Sequence, residues 1–284
     1  MPTITAPDGT RLYYEESGQG VPIVFVHEFA GDHRSFEPQV RFFSRSHRCI
    51  AFDARGYLPS DVPENPEAYG QDAARADVVA VLDGLGLEQA HIVGHSMGAY
   101  TALHVAIHRP ERCLSVAAIG CGWGSNPDER EERTAMCEDI ARMFREEPVA
   151  EAAARYARYP MRRSFEAKDP RGFAEFEKTL ADHSATGLAM TMSRLQGRRP
   201  TLWDLKEPLS LLDVPLLVIV GDEDDPCLDG SVFLKRTAPM AALVVVPRSG
   251  HTLTLEEPAA VNAALAELFR AVADGAWMAH RREK

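Results

Sequence analysis

The chain has 284 residues, of which 45% are hydrophobic and 26% charged, so it can bury the core of one large globular domain. Its formal net charge of −11 would repel nucleic acid, and we expect no nucleic-acid partner. The five cysteines are odd in number and scattered, without a C-x-x-C pair, which argues against a disulfide framework or a zinc knuckle and predicts reduced, mostly buried thiols.

The two ends of the chain and its apolar runs indicate where the protein resides. The opening MPTITAPDGTRLYYEE lacks the basic and then apolar pattern of a secretory signal, so we expect a cytoplasmic protein. The longest apolar runs, such as PLLVIV, fall far short of the roughly 20 residues that a spanning helix needs, so no membrane partner is expected. The closing AHRREK, residues 279–284, is predicted to be a solvated, charged end.

Strand and helix patterns alternate along the chain. ITAPDGTRLYYEE predicts two short strands that turn at Asp8-Gly9. Six β-branched runs predict strands buried on both faces of a mostly parallel sheet: PIVFVH, RCIAFD, AHIVGHS, CLSVAAIG, PLLVIVGDED and ALVVVP. Helical periodicity covers residues 35–44, 71–85, 97–107 and 258–272. This alternation predicts an α/β fold with a doubly wound sheet.

Residues 122–213 interrupt the alternation. They contain no convincing strand pattern and are rich in helical segments such as DEREERTAMCEDIARMFREE. We interpret them as a helical cap inserted into a core made of residues 1–121 and 214–284. Ordinary crossover helices are the alternative, but roughly 90 residues is far more than a crossover requires.

The strongest chemical signal is the G-x-S-x-G pentapeptide Gly94-His95-Ser96-Met97-Gly98. It follows the strand pattern HIV and precedes the helical pattern AYTALHVAIH, which is the context of a nucleophile elbow. Such a turn exposes the serine hydroxyl at the carboxyl edge of the sheet, where open α/β folds bind their ligands. The alternative is an ordinary loop in which the serine caps a helix.

A serine nucleophile needs a base and a group that orients it. His251 follows the strand ALVVVP, and Asp224 lies three residues after Gly221 with Asp222 and Asp225 beside it. The chain order of serine, acid and histidine is that of this kind of fold. His27 and His95 border the same edge, and we interpret them as supporting or lining the pocket because neither has an acid in the expected later position.

Five segments together resemble the α/β-hydrolase superfamily: VHEFAGDHRSF, FDARGYLPSD, GHSMGA, VIVGDEDDP and SGHTLTLEEP. The resemblance covers nearly the whole chain outside the cap and favours Asp224 as the acid, with Asp225 second. It also implies that the backbone N–H groups of Phe29 and Met97 form an oxyanion hole. Such donors stabilise the charge that develops on an acyl oxygen.

Two positions depart from the family pattern. Glu28 stands where a glycine is usual, and Leu58-Pro59 replaces a second glycine in the Arg-Gly segment. We expect the Glu28 carboxylate to point out of the oxyanion hole and to pair with a cation, Arg55 first, because a nearby negative charge would oppose the oxyanion. A solvent-facing glutamate and a proton-transfer group are the alternatives. The His27 to His33 spacing does not match a zinc-protease motif, so no metal is expected.

These residues predict a serine hydrolase that forms an acyl-enzyme on Ser96 with His251 as general base, without a cofactor. Small-molecule carboxylic esters are the expected substrates. Amides, lactones and C–C bonds beside a carbonyl remain open, as do a triad-retaining lyase or perhydrolase and a slow-turnover receptor for small ligands. The sequence carries no signal for an oligomeric state. The candidate pocket residues are His27, Glu28, His95, Phe165, Met190, Met192 and Trp203. For the four that lie in the cap, packing within the cap is the alternative.

Overall fold

A computed structural model describes residues 1–278, and the tail predicted to be solvated, 279–284, lies outside them. One eight-stranded sheet forms the centre of the molecule. Its strands are β1 (Thr3–Thr5), β2 (Arg11–Ser17), β3 (Val21–Val26), β4 (His47–Phe52), β5 (Ala90–His95), β6 (Cys113–Ile119), β7 (Leu216–Gly221) and β8 (Ala241–Val246). All eight match the strand patterns in the sequence.

The strands follow the order β1-β2-β4-β3-β5-β6-β7-β8. Strands β3 to β8 are parallel, whereas β2 pairs antiparallel with β1 and β4. The order reverses after β4, since β3 lies between β4 and β5. The carboxyl ends of six parallel strands therefore meet along one edge, and loops that follow them can bring distant residues together.

Twelve α-helices surround or cover this sheet within the described residues. They are α1 (Glu37–Phe43), α2 (Gln71–Gly84), α3 (Met97–His108), α4 (Arg130–Glu146), α5 (Val149–Ala157), α6 (Arg163–Lys168), α7 (Pro170–Ala181), α8 (Ala185–Met190), α9 (Lys206–Ser210), α10 (Asp225–Thr237), α11 (Leu253–Glu256) and α12 (Pro258–Ala273). One apolar cluster joins α2, α3 and α10 to the sheet, and another joins α1 and α12 to its other face. The fold is therefore a doubly wound α/β fold, as predicted.

The segment between β6 and β7 carries α4 to α9 and a π-helical turn, Thr191–Gln196. Its helices bury an apolar cluster of their own, which includes Phe144, Phe165 and Leu188, and this cluster extends to Phe29 and Met97 of the core. The predicted helical cap is thus present and packs directly over the carboxyl edge of the sheet. Its boundaries at residues 122 and 213 remain a prediction.

Two smaller expectations also concern the fold. All five cysteines are buried and unpaired, as predicted. Among the described residues, every helix is too short or too polar to cross a membrane.

Candidate active site

The turn between β5 and α3 has the geometry of a nucleophile elbow. Ser96 has a φ of 53° and a ψ of −108°, a conformation that L-residues rarely adopt. A Cβ atom at Gly94 would collide with the backbone of Gly98, and one at Gly98 would collide with the backbone of Val26. Both glycines are therefore required by the close approach of strand and helix, which rules out an ordinary helix-capping loop.

Ser96, His251 and Asp224 form one hydrogen-bonded chain. The Oγ of Ser96 lies 2.9 Å from Nε2 of His251, and Nδ1 of His251 lies 2.8 Å from Oδ2 of Asp224. The tautomer that satisfies both contacts donates from Nδ1 and accepts the serine proton at Nε2. Asp222 and Asp225 are exposed, and Asp222 accepts instead from the N–H of Ser249. The geometry thus brings Asp224, and neither neighbour, to the imidazole.

Asp224 is fully buried and charged. Burial by itself raises the pKa of this carboxyl, but the charge of His251 and the hydrogen bond from it outweigh burial and hold the pKa below its usual value. The thiol of Cys227 lies 3.8 Å from Nδ1 of His251 and donates to the carbonyl of Gly120. Because the carboxylate stays ionised, it can orient the imidazole and stabilise its protonated form.

The loop that carries His251 is fixed from two sides. The backbone N–H of His251 donates to the carbonyl of Met161 in the cap at 2.8 Å, and the carbonyl of His251 accepts from Nε2 of His95 at 2.7 Å. A side chain at Gly250 would collide with the carbonyl of Met161, so that glycine permits the contact. His95 therefore supports the loop of the base and does not reach the serine as a base itself.

Phe29 follows β3, which pairs with β5, and Met97 follows Ser96 directly in the elbow. Neither backbone N–H donates to another group within residues 1–278, and Met97 is the first residue of α3, where a helix carries a partial positive charge. The carbonyl of Phe29 accepts from the hydroxyl of Tyr57 at 2.8 Å. His27 supports the same loop, because its Nδ1 lies 2.7 Å from the carbonyl of Glu28 and its Nε2 accepts from the N–H of Ala54. Both N–H groups are thus without a hydrogen-bond acceptor among the described residues.

The predicted partner of Glu28 was wrong. Its Oε2 accepts from Nη2 of Arg162 in the cap at 2.5 Å, and its Oε1 lies 3.8 Å from Nδ1 of His95. Both members of the Glu28–Arg162 pair are 1% exposed, which also excludes a solvent-facing glutamate. Arg55 instead binds Asp77 through two hydrogen bonds and Asp8 through a third.

Burial and charge act in opposite directions on Glu28. Burial raises its pKa, but the charge of Arg162 and the hydrogen bond from it more than offset this and lower the pKa to about 2. The neighbouring His95 is affected mainly by burial, which lowers its pKa to about 4. Glu28 is therefore a carboxylate paired with a guanidinium, with its charge directed at the cap and at a neutral imidazole.

A small cavity of about 40 Å³ adjoins Ser96 and His251. Besides Ser96 and His251 its wall consists of Trp123, Met136, Ile140, Tyr156, Tyr159, Met161 and Gln196. This volume holds only a few water molecules. Because Met136 is 43% exposed, the wall reaches the protein surface at α4.

The pocket residues predicted from the sequence do not line this cavity. Phe165 packs against Phe173 and Phe176 inside the cap, and Met192 is fully buried in the same apolar cluster. Trp203 stacks on Phe233 of α10 at 4.3 Å. Met190, His27, Glu28 and His95 are absent from the lining as well. Phe165 and Met192 lie in the apolar cluster of the cap, which was the alternative stated for them, whereas Trp203 packs against the core at α10.

Sequence reasoning missed the cap residues that do reach the site. Arg162, Tyr156 and Gln196 carry no motif. Their positions follow from the packing of the 3-10 turn Pro160–Arg162, of α5 and of the π-helical turn. One signal was available for Arg162. A buried carboxylate at position 28 required a cation, and the cap is rich in arginine.

Comparison with known proteins agrees with this geometry. Residues 21–258 match the family described as alpha/beta hydrolase fold. A 3-oxoadipate enol-lactonase from Acinetobacter baylyi is 29% identical over 275 residues, with 94% of this chain and 96% of that protein covered. A non-heme haloperoxidase from Rhodococcus erythropolis is 28% identical over 281 residues, covering 93% and 98%.

The solved structure of a thermophilic esterase from Thermogutta terrifontis superposes with a TM-score of 0.83. It is 25% identical and covers 95% of this chain and 98% of its own. Because the family match spans most of the chain and the sheet, elbow and cap are all in place, this protein belongs to the α/β-hydrolase family and is a hydrolase of that fold.

Proposed function

We propose that the protein hydrolyses a carboxylic ester of a small molecule through an acyl-enzyme on Ser96. The observation that carries this proposal is the hydrogen-bonded chain that runs from Ser96 in the elbow through His251 to Asp224. The names of the relatives support an ester substrate, since one is a lactonase and another an esterase. A lactone is an internal ester, so both names describe the same type of bond.

The first half of the reaction forms the acyl-enzyme. Ser96 Oγ attacks the ester carbonyl while Nε2 of His251 accepts the serine proton. The carbonyl oxygen becomes an oxyanion, which the N–H groups of Phe29 and Met97 stabilise. The C–O bond to the alcohol then breaks, and the protonated imidazole delivers its proton to the departing oxygen.

The second half releases the acid. A water molecule takes the place of the alcohol, loses a proton to Nε2 of His251 and attacks the acyl carbon. The bond to Ser96 Oγ breaks, and the serine recovers its proton from the imidazole. Asp224 remains a carboxylate throughout and stabilises each imidazolium that forms.

A panel of short-chain ethyl esters, amides and lactones tests the proposal, with acid release followed at constant pH. We expect ester hydrolysis that Ser96→Ala abolishes, together with labelling by a fluorophosphonate that requires Ser96. A single stoichiometric burst without turnover would favour the receptor, and cleavage confined to a C–C substrate would favour the lyase. Perhydrolysis in the presence of peroxide that is faster than hydrolysis would favour the perhydrolase. The similarity to a non-heme haloperoxidase is the reason to test this alternative.

A further inference from the structure

Gln196 places an amide in the wall of the active-site cavity. Its side chain is 3% exposed and belongs to the same lining as Ser96 and His251. Its Oε1 has no hydrogen-bond partner among the described residues. Most of the remaining wall is apolar or aromatic, so this amide is an unsatisfied polar group in the wall beside the nucleophile.

The backbone holds this amide in a fixed position. Gln196 ends the π-helical turn, whose geometry is set by the hydrogen bond from the N–H of Gly197 to the carbonyl of Met192 at 2.9 Å. The carbonyl of Gly197 accepts from the hydroxyl of Thr134 on α4 at 3.1 Å. A Cβ at Gly197 would lie 3.1 Å from that of Cys137, so the glycine allows α4 to approach. π-Helical turns of this kind occur frequently at functional sites.

An amide oxygen buried without a donor destabilises a folded protein. Native proteins keep such groups where a role outweighs that cost. Packing alone would be served as well by an apolar side chain such as methionine, which has nearly the same length. The arrangement is instead that of a recognition site, in which a ligand supplies the missing donor.

We propose that Gln196 is a specificity-determining residue that accepts a hydrogen bond from the substrate, and that the preferred substrates are small hydroxyl-bearing esters. This inference rests on the proposed function and narrows its substrate class. Because Gln196 lines the same cavity as Ser96, the hydroxyl lies within a few atoms of the scissile carbonyl. A site built to bind a hydroxyl discriminates against the matched methyl analogue, which leaves the amide unpaired.

Two pairs of esters of nearly equal shape test the proposal, one for each side of the scissile bond. Ethyl 3-hydroxybutanoate is compared with ethyl 3-methylbutanoate, and 2-hydroxyethyl acetate with propyl acetate. The parent protein should favour the hydroxyl member of at least one pair in kcat/KM. Gln196→Met should reduce that preference about tenfold, because the loss in kcat/KM is larger on the hydroxy ester than on the alkyl ester.

Gln71→Met is the matched control, because Gln71 is also buried but does not line this cavity. It should leave both preferences unchanged. Gln196→Met should keep or raise the melting temperature, since it removes an unsatisfied polar group. A parent without preference in either pair, or a Gln196→Met protein that loses stability and slows on both esters equally, overturns the inference.

Binding to the Ser96→Ala protein separates this inference from the proposed function. The same ester pairs are titrated by calorimetry into Ser96→Ala with and without Gln196→Met. If the parent hydrolyses no ester, the proposed function fails, and the ratio of the dissociation constants still decides whether Gln196 recognises the hydroxyl. Equal ratios with and without the substitution count against Gln196.

Discussion

Two buried carboxylates, one at the sheet edge and one facing the cap, show how differently the parts of this site are built. Asp224 follows β7 and meets His251, which follows β8, so both partners come from neighbouring strand ends. Glu28 follows β3 but meets Arg162, which the cap supplies 134 residues later. The first pair is a consequence of the sheet order, whereas the second exists only once the cap has packed.

The difference predicts different consequences of mutation. In the proposed mechanism Asp224 acts on the chemistry, so we expect its loss to reduce turnover and to leave the fold intact. Between core and cap the charges are fully buried and compensate one another, so breaking the pair should cost stability first.

The largest effect is expected for Asp224→Asn. The asparagine keeps the shape of the acid but favours the wrong imidazole tautomer, which can cost on the order of 10⁴ in kcat. Asp225→Asn is the matched control, since Asp225 is exposed and should be dispensable. Ester turnover and thermal unfolding of both variants provide the measurement. A nearly active Asp224→Asn beside an inactive Asp225→Asn would reverse the assignment.

The next prediction concerns the pair between core and cap. Arg162→Met leaves the Glu28 carboxylate buried without its cation and should lower the free energy of unfolding by about 3–5 kcal/mol. Glu28→Gln should also destabilise, and it should affect stability more than turnover. The double variant Glu28→Gln with Arg162→Met should recover most of the loss, because no uncompensated charge remains. Urea unfolding of all four proteins gives the coupling energy.

The pH dependence of the free energy of unfolding provides an independent measurement of the same pair. Since the pKa of Glu28 falls from an ordinary 4.5 to about 2, the unfolded chain binds this proton more readily than the folded one. The stabilisation is complete above about pH 4.5 and is lost as the pH falls through about 2, a change of roughly 3 kcal/mol. Glu28→Gln should remove this part of the pH dependence. A large fall in its turnover at unchanged stability, with a new titration in the pH–rate profile, would instead indicate proton transfer by Glu28.

The extent of successful sequence prediction follows the same division. The strands, the elbow and the order of Ser96, Asp224 and His251 were predictable because local patterns and sheet topology determine them. The cavity wall was not predictable, since it depends on which face each cap helix turns towards the core. Phe165 and Met192 have the same apolar character as Ile140, and only tertiary packing decides which of them meets the substrate.

The smallest effect is expected at the outer wall of the cavity. Met136 lines it and is 43% exposed, so Met136→Ala should change stability little while enlarging the entrance. We expect a few-fold shift of kcat/KM towards longer acyl chains, because one missing side chain in an apolar pocket changes discrimination by only about 1–3 kcal/mol. Met192→Leu is the comparison, since Met192 is fully buried in the cap and a volume-conserving change there costs less than about 1.5 kcal/mol. It should alter the melting temperature without altering the chain-length profile. If Met192→Leu shifted that profile and Met136→Ala did not, substrates would approach Ser96 from the interior of the cap, and the wall at α4 would not be the entrance.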